Sequence, residues 1–152
     1  MNKKYLYIGI GIAVILLLII TVPKYFTENV TASGTPISSE IERVEIYHFH
    51  STNQCYSCKT VGAYAEETVN TYFSSELKSG KMVFGHINVD SPENKELVDK
   101  YEAKGASLLI GTSYKDGTFT KEENTNVWYK ISNKEEYLSY LKGVIENKLS
   151  GE

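Results

Sequence analysis

The chain has 152 residues, two of them cysteine, and carries 16 Lys and Arg against 19 Asp and Glu, a formal net charge of −3. That sign, with the charges dispersed and no basic stripe, excludes a nucleic-acid binder. The length holds one domain of ordinary size once membrane and linker segments are set aside, and no internal repeat is visible.

Residues 5–22 read YLYIGIGIAVILLLIITV, a run without a charge that is preceded by Lys3 and Lys4 and followed by Pro23 and Lys24. About eighteen apolar residues are enough for a helix across the hydrocarbon core, whereas the apolar region of a cleaved signal peptide runs about 7–15. No small-residue cleavage pattern follows in Thr21-Val22-Pro23-Lys24-Tyr25-Phe26, so the segment reads as one uncleaved transmembrane anchor. Lys3, Lys4 and the amino terminus outweigh Lys24. The positive-inside rule therefore keeps residues 1–4 in the cytoplasm and sends the rest outside the cell membrane, as a single-pass protein. Residues 23–42 shift to Thr, Ser, Gly, Pro and Glu and read as a flexible linker. The folded domain is expected over 43–152.

Residues 44–50, VEIYHFH, are β-branched and aromatic and end in the polar run Ser51-Thr52-Asn53-Gln54, a strand followed by a loop. From Ser57 the period changes. Val61, Ala65, Val69, Tyr72, Phe73 and Leu77 recur at helical steps, which predicts one long amphipathic helix stopped by Ser79-Gly80. Residues 81–90 form a second strand, and Ser91-Pro92-Glu93 opens a short helix with a capping serine and Leu97, Val98 and Tyr101 turned inward. Residues 106–114 form a third strand, and the Asp116-Gly117 turn makes a fourth strand antiparallel to it. Residues 127–131 are either a last strand or the apolar lead-in to a helix. Ser132 with Glu135 forms a capping box, and Tyr137, Leu138, Leu141, Val144, Ile145 and Leu149 line one face of the final helix. The expected architecture is an α/β domain: a mixed sheet of about four strands with helices on both faces.

Cys55 and Cys58, separated by Tyr56 and Ser57, sit where the strand pattern gives way to the helical one. Two thiols three positions apart at a helix start can close a disulfide across one turn or grip a soft metal together. Cys55 would stand at the positive end of the helix dipole near orphan N–H groups. That position favours thiolate and lowers a thiol pKa from about 8.5. His48 and His50 lie on one face of the first strand by period-two alternation, within reach of the cysteines. The plain reading makes His48 a hydrogen-bonded strand histidine, His50 a loop residue and His86 a structural one. The functional reading makes an imidazole a proton relay for Cys58 or a stabiliser of the Cys55 thiolate.

The order of elements, with Cys55-Tyr56-Ser57-Cys58-Lys59 between the first strand and the long helix, Ile87-Asn88-Val89-Asp90, and the run from Tyr101 to Ile110 followed by Asp116-Gly117, resembles the thioredoxin-like family over about 43–149. Through 47–50 and Val127-Trp128 it is most similar to a small bacterial and archaeal group labelled as a nitrophenyl-compound nitroreductase subunit. The resemblance implies that Cys55 is the attacking thiolate and Cys58 the resolving thiol. Lys59 would add positive potential, and Tyr56 would face substrate. Two departures accompany it. Ser107 stands where thioredoxins carry a cis-proline facing the cysteines, so a hydroxyl is expected beside the sulfurs. His48 falls nearest to the place of the buried acid that serves the resolving cysteine.

Three functions follow. The first is an extracytoplasmic thiol–disulfide oxidoreductase without a cofactor, acting on protein thiols and disulfides. The second is a module holding Zn²⁺ or Cu⁺ with Cys55, Cys58 and His48 or His50. The third is a thioredoxin-like interaction domain with a structural disulfide.

Overall fold

The computed structural model describes residues 40–151. The expected cytoplasmic terminus at 1–4, the anchor at 5–22 and all of the linker before residue 40 lie outside the described residues. Strand β1, Ile41–His50, starts two residues ahead of the expected domain boundary. Ile41 pairs with Tyr114 across an irregular register and packs against the core, so it belongs to the sheet and not to the linker.

Alternation along β1 sends Val44 and Ile46 into one core cluster and Tyr47 and Phe49 into another. Helix α1, Tyr56–Tyr72, lays Val61, Ala65 and Val69 on the first cluster. The single long helix expected from the apolar period is broken at Phe73 (φ −127°, ψ 26°), and a short α2, Ser74–Ser79, follows. The bend keeps both Phe73 and Leu77 against the core. Gly80 ends α2 in the left-handed region at φ 76°.

Strand β2, Met82–Asn88, runs parallel to β1, with His48 opposite His86 and His50 opposite Asn88. A 3-10 turn, Pro92–Asn94, then leads into α3, Lys95–Tyr101; Ser91 makes no side-chain cap bond, contrary to expectation. Strand β3, Ser107–Tyr114, is antiparallel to β1, and a turn with Gly117 at φ 85° brings β4, Phe119–Glu123, back along it. The segment left open between strand and lead-in is a 3-10 turn, Thr125–Tyr129. Helix α4, Lys134–Ser150, is capped by Asn133, whose side chain accepts the Glu136 N–H at 3.2 Å, and not by Ser132. The pattern Asn133 to Glu136 has the same spacing one residue later, so sequence alone leaves two registers for the cap.

The sheet order is β2-β1-β3-β4. Helices α1 and α4 cover one face through Val61, Val69, Tyr137, Leu141 and Ile145, and α3 covers the other through Leu97, Val98 and Tyr101. This is a mixed four-stranded sheet, flanked by helices, whose inner strand β1 delivers its C-terminal end to the cysteine loop.

Candidate thiol site

Cys55 is the N-cap of α1. Its backbone is extended (φ −71°, ψ 166°), and its sulfur accepts the N–H of Cys58 at 3.1 Å. The Lys59 N–H bonds the Cys55 carbonyl at 3.1 Å. Sulfur thus takes the place that an Asp or Ser oxygen usually fills at a helix start, against donors the helix leaves unpaired. The first turn carries no acidic residue to oppose a thiolate. The two cysteines are joined as a disulfide with Cα atoms 5.1 Å apart. Cys55 is exposed and Cys58 half-buried. An incoming sulfur therefore reaches Cys55 more readily.

The loop ahead of Cys55 is fastened to the end of β2. Thr52 N–H donates to Asp90 at 2.8 Å, Asn88 Nδ2 donates to the Thr52 hydroxyl at 3.0 Å, and Val89 N–H donates to the His50 carbonyl at 2.8 Å. The run Ile87-Asn88-Val89-Asp90 is therefore the clamp that sets the approach of residues 51–54 to the helix. The sequence marked this run by resemblance but gave no signal of that role.

The three histidines divide. His48 is 1% exposed, and its Nδ1 lies 3.0 Å from Nδ1 of His86. Its Nε2 is buried without a hydrogen-bond partner. Burial, then the neighbouring imidazoles of His86 and His50, lower its pKa to about 4, while the Cys58 carbonyl pulls the other way. The ring is neutral near pH 7. His50 is the last residue of β1 and not a loop residue; it stacks on His48 at 5.5 Å between centroids and turns Nδ1 to the Ser51 carbonyl at 2.9 Å. His86, expected as merely structural, is the hydrogen-bond partner of His48 and reaches Glu66 of α1 at 3.4 Å through Nε2.

Gly62 is what admits His48 to α1. A Cβ on Gly62 would collide with Nδ1 of His48 and stand 2.6 Å from Cε1 and 3.0 Å from Cγ. Gly62 lies one turn beyond Cys58 on the same face of α1. A lone glycine inside a helical pattern is the signal that could have marked this approach.

Tyr56 is 84% exposed beside Cys55, and Lys59 is exposed. Ser107 is buried at the start of β3, opposite Phe49, and its hydroxyl turns to the Gly105 carbonyl at 3.4 Å, so its hydrogen bond runs back along its own segment. Among the described residues, no three His, Cys, Asp or Glu side chains are grouped to hold a metal ion.

No family model matches the chain, and neither does any curated protein. Among solved structures it is similar to a thioredoxin from Thermus thermophilus, at 21% identity over 70% of this chain and 76% of that one, with a TM-score of 0.43. It is also similar to the zinc-bound form of human ERp44, at 16% identity over 74% of this chain and 30% of that one, with a TM-score of 0.43. The chain thus spans less than a third of the ERp44 chain. Likeness at this level assigns neither activity nor partner.

Proposed function

We propose that the chain is a membrane-anchored thiol–disulfide oxidoreductase acting on protein thiols and disulfides outside the cytoplasm. The observation that carries this reading is an exposed Cys55 whose sulfur caps α1 at 3.1 Å from the Cys58 N–H and is already bonded to a half-buried Cys58. In the reduced pair the same N–H and the helix dipole favour the Cys55 thiolate. That thiolate attacks a partner disulfide to give a mixed disulfide, and Cys58 releases the partner by closing the ring. The uncharged run at 5–22 supports the anchor, and the lysines ahead of it support the outward orientation. The narrower likeness to nitrophenyl-compound nitroreductase subunits, read from the whole stretch with 47–50 and 127–128, finds no support in the comparisons. A thiol couple, which needs no further cofactor, is the chemistry that the site's geometry supports.

The test uses the full-length chain in mild detergent, equilibrated in redox buffers with thiol counting and metal analysis. A reversible two-electron couple is expected, with no exchange activity in Cys55→Ser and trapped mixed disulfides in Cys58→Ser. Stoichiometric metal lost in either variant would instead make the pair a metal site. A disulfide that raises the melting temperature but exchanges with nothing would make it structural. On intact cells, a membrane-impermeant thiol reagent should label reduced Cys55.

A further inference from the structure

The loop that carries Cys55 runs from the end of β1 to the first turn of α1, and one side-chain amide gathers its fastenings. Asn88, the last residue of β2, lies opposite His50 in the parallel register. Its Oδ1 accepts the Asp90 N–H at 3.0 Å, and its Nδ2 donates to the Thr52 hydroxyl at 3.0 Å. A backbone N–H only donates, so the first bond fixes which way the amide points and leaves its NH2 group for Thr52. The Asn88 carbonyl is held in turn by Asn94 Nδ2 at 2.9 Å and by the Ser91 N–H at 3.2 Å. Asp90, oriented by that same amide, accepts the Thr52 N–H on Oδ2 at 2.8 Å. Thr52 is thus gripped twice, by its backbone and by its side chain, from the end of β2.

Only Asn53 and Gln54 stand between Thr52 and the cysteine. Three extended residues span at most about 11 Å, so a fixed Thr52 confines Cys55 to a small region even where no helix bond holds it. On its other side Cys55 is tied to α1 by the Lys59 N–H on its carbonyl and by the Cys58 N–H on its sulfur, each at 3.1 Å. Those ties lie at a helix end, and helix ends fray. While the disulfide is closed the ring itself keeps Cys55 on Cys58, with Cα atoms 5.1 Å apart. Once it is open that constraint is gone, and the grip on Thr52 is the nearest hold ahead of Cys55 among the described residues. The clamp therefore restricts the open forms most.

We propose that Thr52, Asn88 and Asp90 are positioning residues for ring closure, which hold the opened Cys55 beside Cys58 and so make the pair a stronger electron donor; the inference rests on the oxidoreductase reading and deepens it. In that reading the Cys55 thiolate has attacked a partner disulfide and released one partner sulfur as thiolate. Cys58 then gives its proton to solvent and attacks Sγ of Cys55. The Cys55–Cys58 bond forms, the bond from Cys55 to the partner breaks, and its electron pair leaves on the second partner sulfur. Both partner thiolates take up protons from solvent. The cysteine pair loses two electrons and the partner disulfide gains them. Closure brings two sulfurs together in one geometry, and a loop already held has less freedom to lose on the way. Without the clamp the mixed disulfide swings away from Cys58, the ordering cost of closure rises, and the dithiol keeps its electrons.

The experiment equilibrates the full-length chain in mild detergent at pH 7 with reduced and oxidised glutathione and counts free thiols by alkylation. Asn88→Ala and Asp90→Ala are each expected to lower the equilibrium constant for ring closure by on the order of tenfold, a rise of about 30 mV in potential. Thr52→Val removes only the hydroxyl that accepts from Asn88 and should shift the constant the same way by about threefold. Asp90→Asn keeps a carbonyl oxygen for the Thr52 N–H and is expected to stay at the wild-type value. A shift in Asp90→Asn as large as in Asp90→Ala would trace the effect to the lost charge and overturn the proposal. A clamp that is merely structural lowers the melting temperatures of the oxidised and reduced chains alike and leaves the glutathione equilibrium unmoved, which overturns it too. Thr52 is an exposed loop residue, so its variant keeps the test decisive if Asn88→Ala does not fold. Unmoved equilibria in the variants leave the oxidoreductase reading intact, whereas a wild-type chain without a reversible couple overturns both.

Discussion

Gly62→Ala tests the placement of His48 against the thiol helix. In an exposed helix interior this change gains about 1 kcal/mol, because alanine is the better helix former. Here the new methyl would collide with Nδ1 of His48, 2.6 Å from Cε1 and 3.0 Å from Cγ. The ring has nowhere to retreat, being 1% exposed and tied to His86 at 3.0 Å. Overpacking of this kind costs about 1–3 kcal/mol, and displacing the ring forfeits a buried hydrogen bond of about 1 kcal/mol. The net expectation is a loss of about 1–3 kcal/mol. In a His48→Ala background the obstruction is gone, so the same Gly62→Ala change should stabilise by up to about 1 kcal/mol. The cycle thus predicts a coupling of about 2–4 kcal/mol between positions 48 and 62. Urea unfolding of the oxidised full-length chain in mild detergent at pH 7.5, for the four members of the cycle, measures it. If Gly62→Ala stabilises the wild-type background by the full helical increment, the imidazole does not lie against that turn.

The lowered pKa of His48, about 4, implies a pH dependence of stability. The unfolded ring, with a pKa of about 6.5, binds a proton that the folded ring refuses, so the contribution is whole above about pH 6.5 and is lost as pH falls toward 4, about 3 kcal/mol in all. His48→Gln should flatten the unfolding free energy across that window, and an equally steep profile in the variant would assign the dependence elsewhere. Tyr101→Phe removes a buried donor to Glu45 Oε2 at 2.7 Å and should cost about 1.5–3 kcal/mol by the same unfolding measurement, a penalty that shrinks in a Glu45→Gln background if that hydrogen bond is its source.

How much of this was legible follows from which interactions are local. The strand before Cys55, the helix after it and the Asp116-Gly117 hairpin are short-range patterns, and all appear. The shared face of His48 and His50 is also local, a matter of period two. What separates them, one ring sealed with His86 and the other at the strand end on Ser51, depends on the parallel register that sets His48 beside His86. No stretch of sequence encodes that register by itself. Glu66 is exposed on α1, and its neighbour is a residue twenty positions away on β2. Ser107, singled out by resemblance alone, is buried at the start of β3 with its hydroxyl turned to the Gly105 carbonyl, a local contact that no pattern in the sequence announces.

Strand β1 carries two buried titratable groups three residues apart, on opposite faces of the sheet, and their surroundings differ in kind. Burial alone would raise the pKa of Glu45. The bonds from Lys100 at 2.9 Å, Tyr101 at 2.7 Å and Arg43 at 2.7 Å outweigh it and lower the pKa, so the carboxylate stays ionised with every oxygen supplied. Such a group fastens β1 to α3, and leaving it half-paired would cost more than the pair is worth. His48 is the opposite case. Its pKa is lowered because burial and two neighbouring rings reject the charge, against the opposing pull of the Cys58 carbonyl. If the sheet needed only a filler under α1, an aliphatic side chain would fit there without that penalty. The penalty falls on the face that carries the cysteine helix, where Gly62 leaves the ring its room against α1.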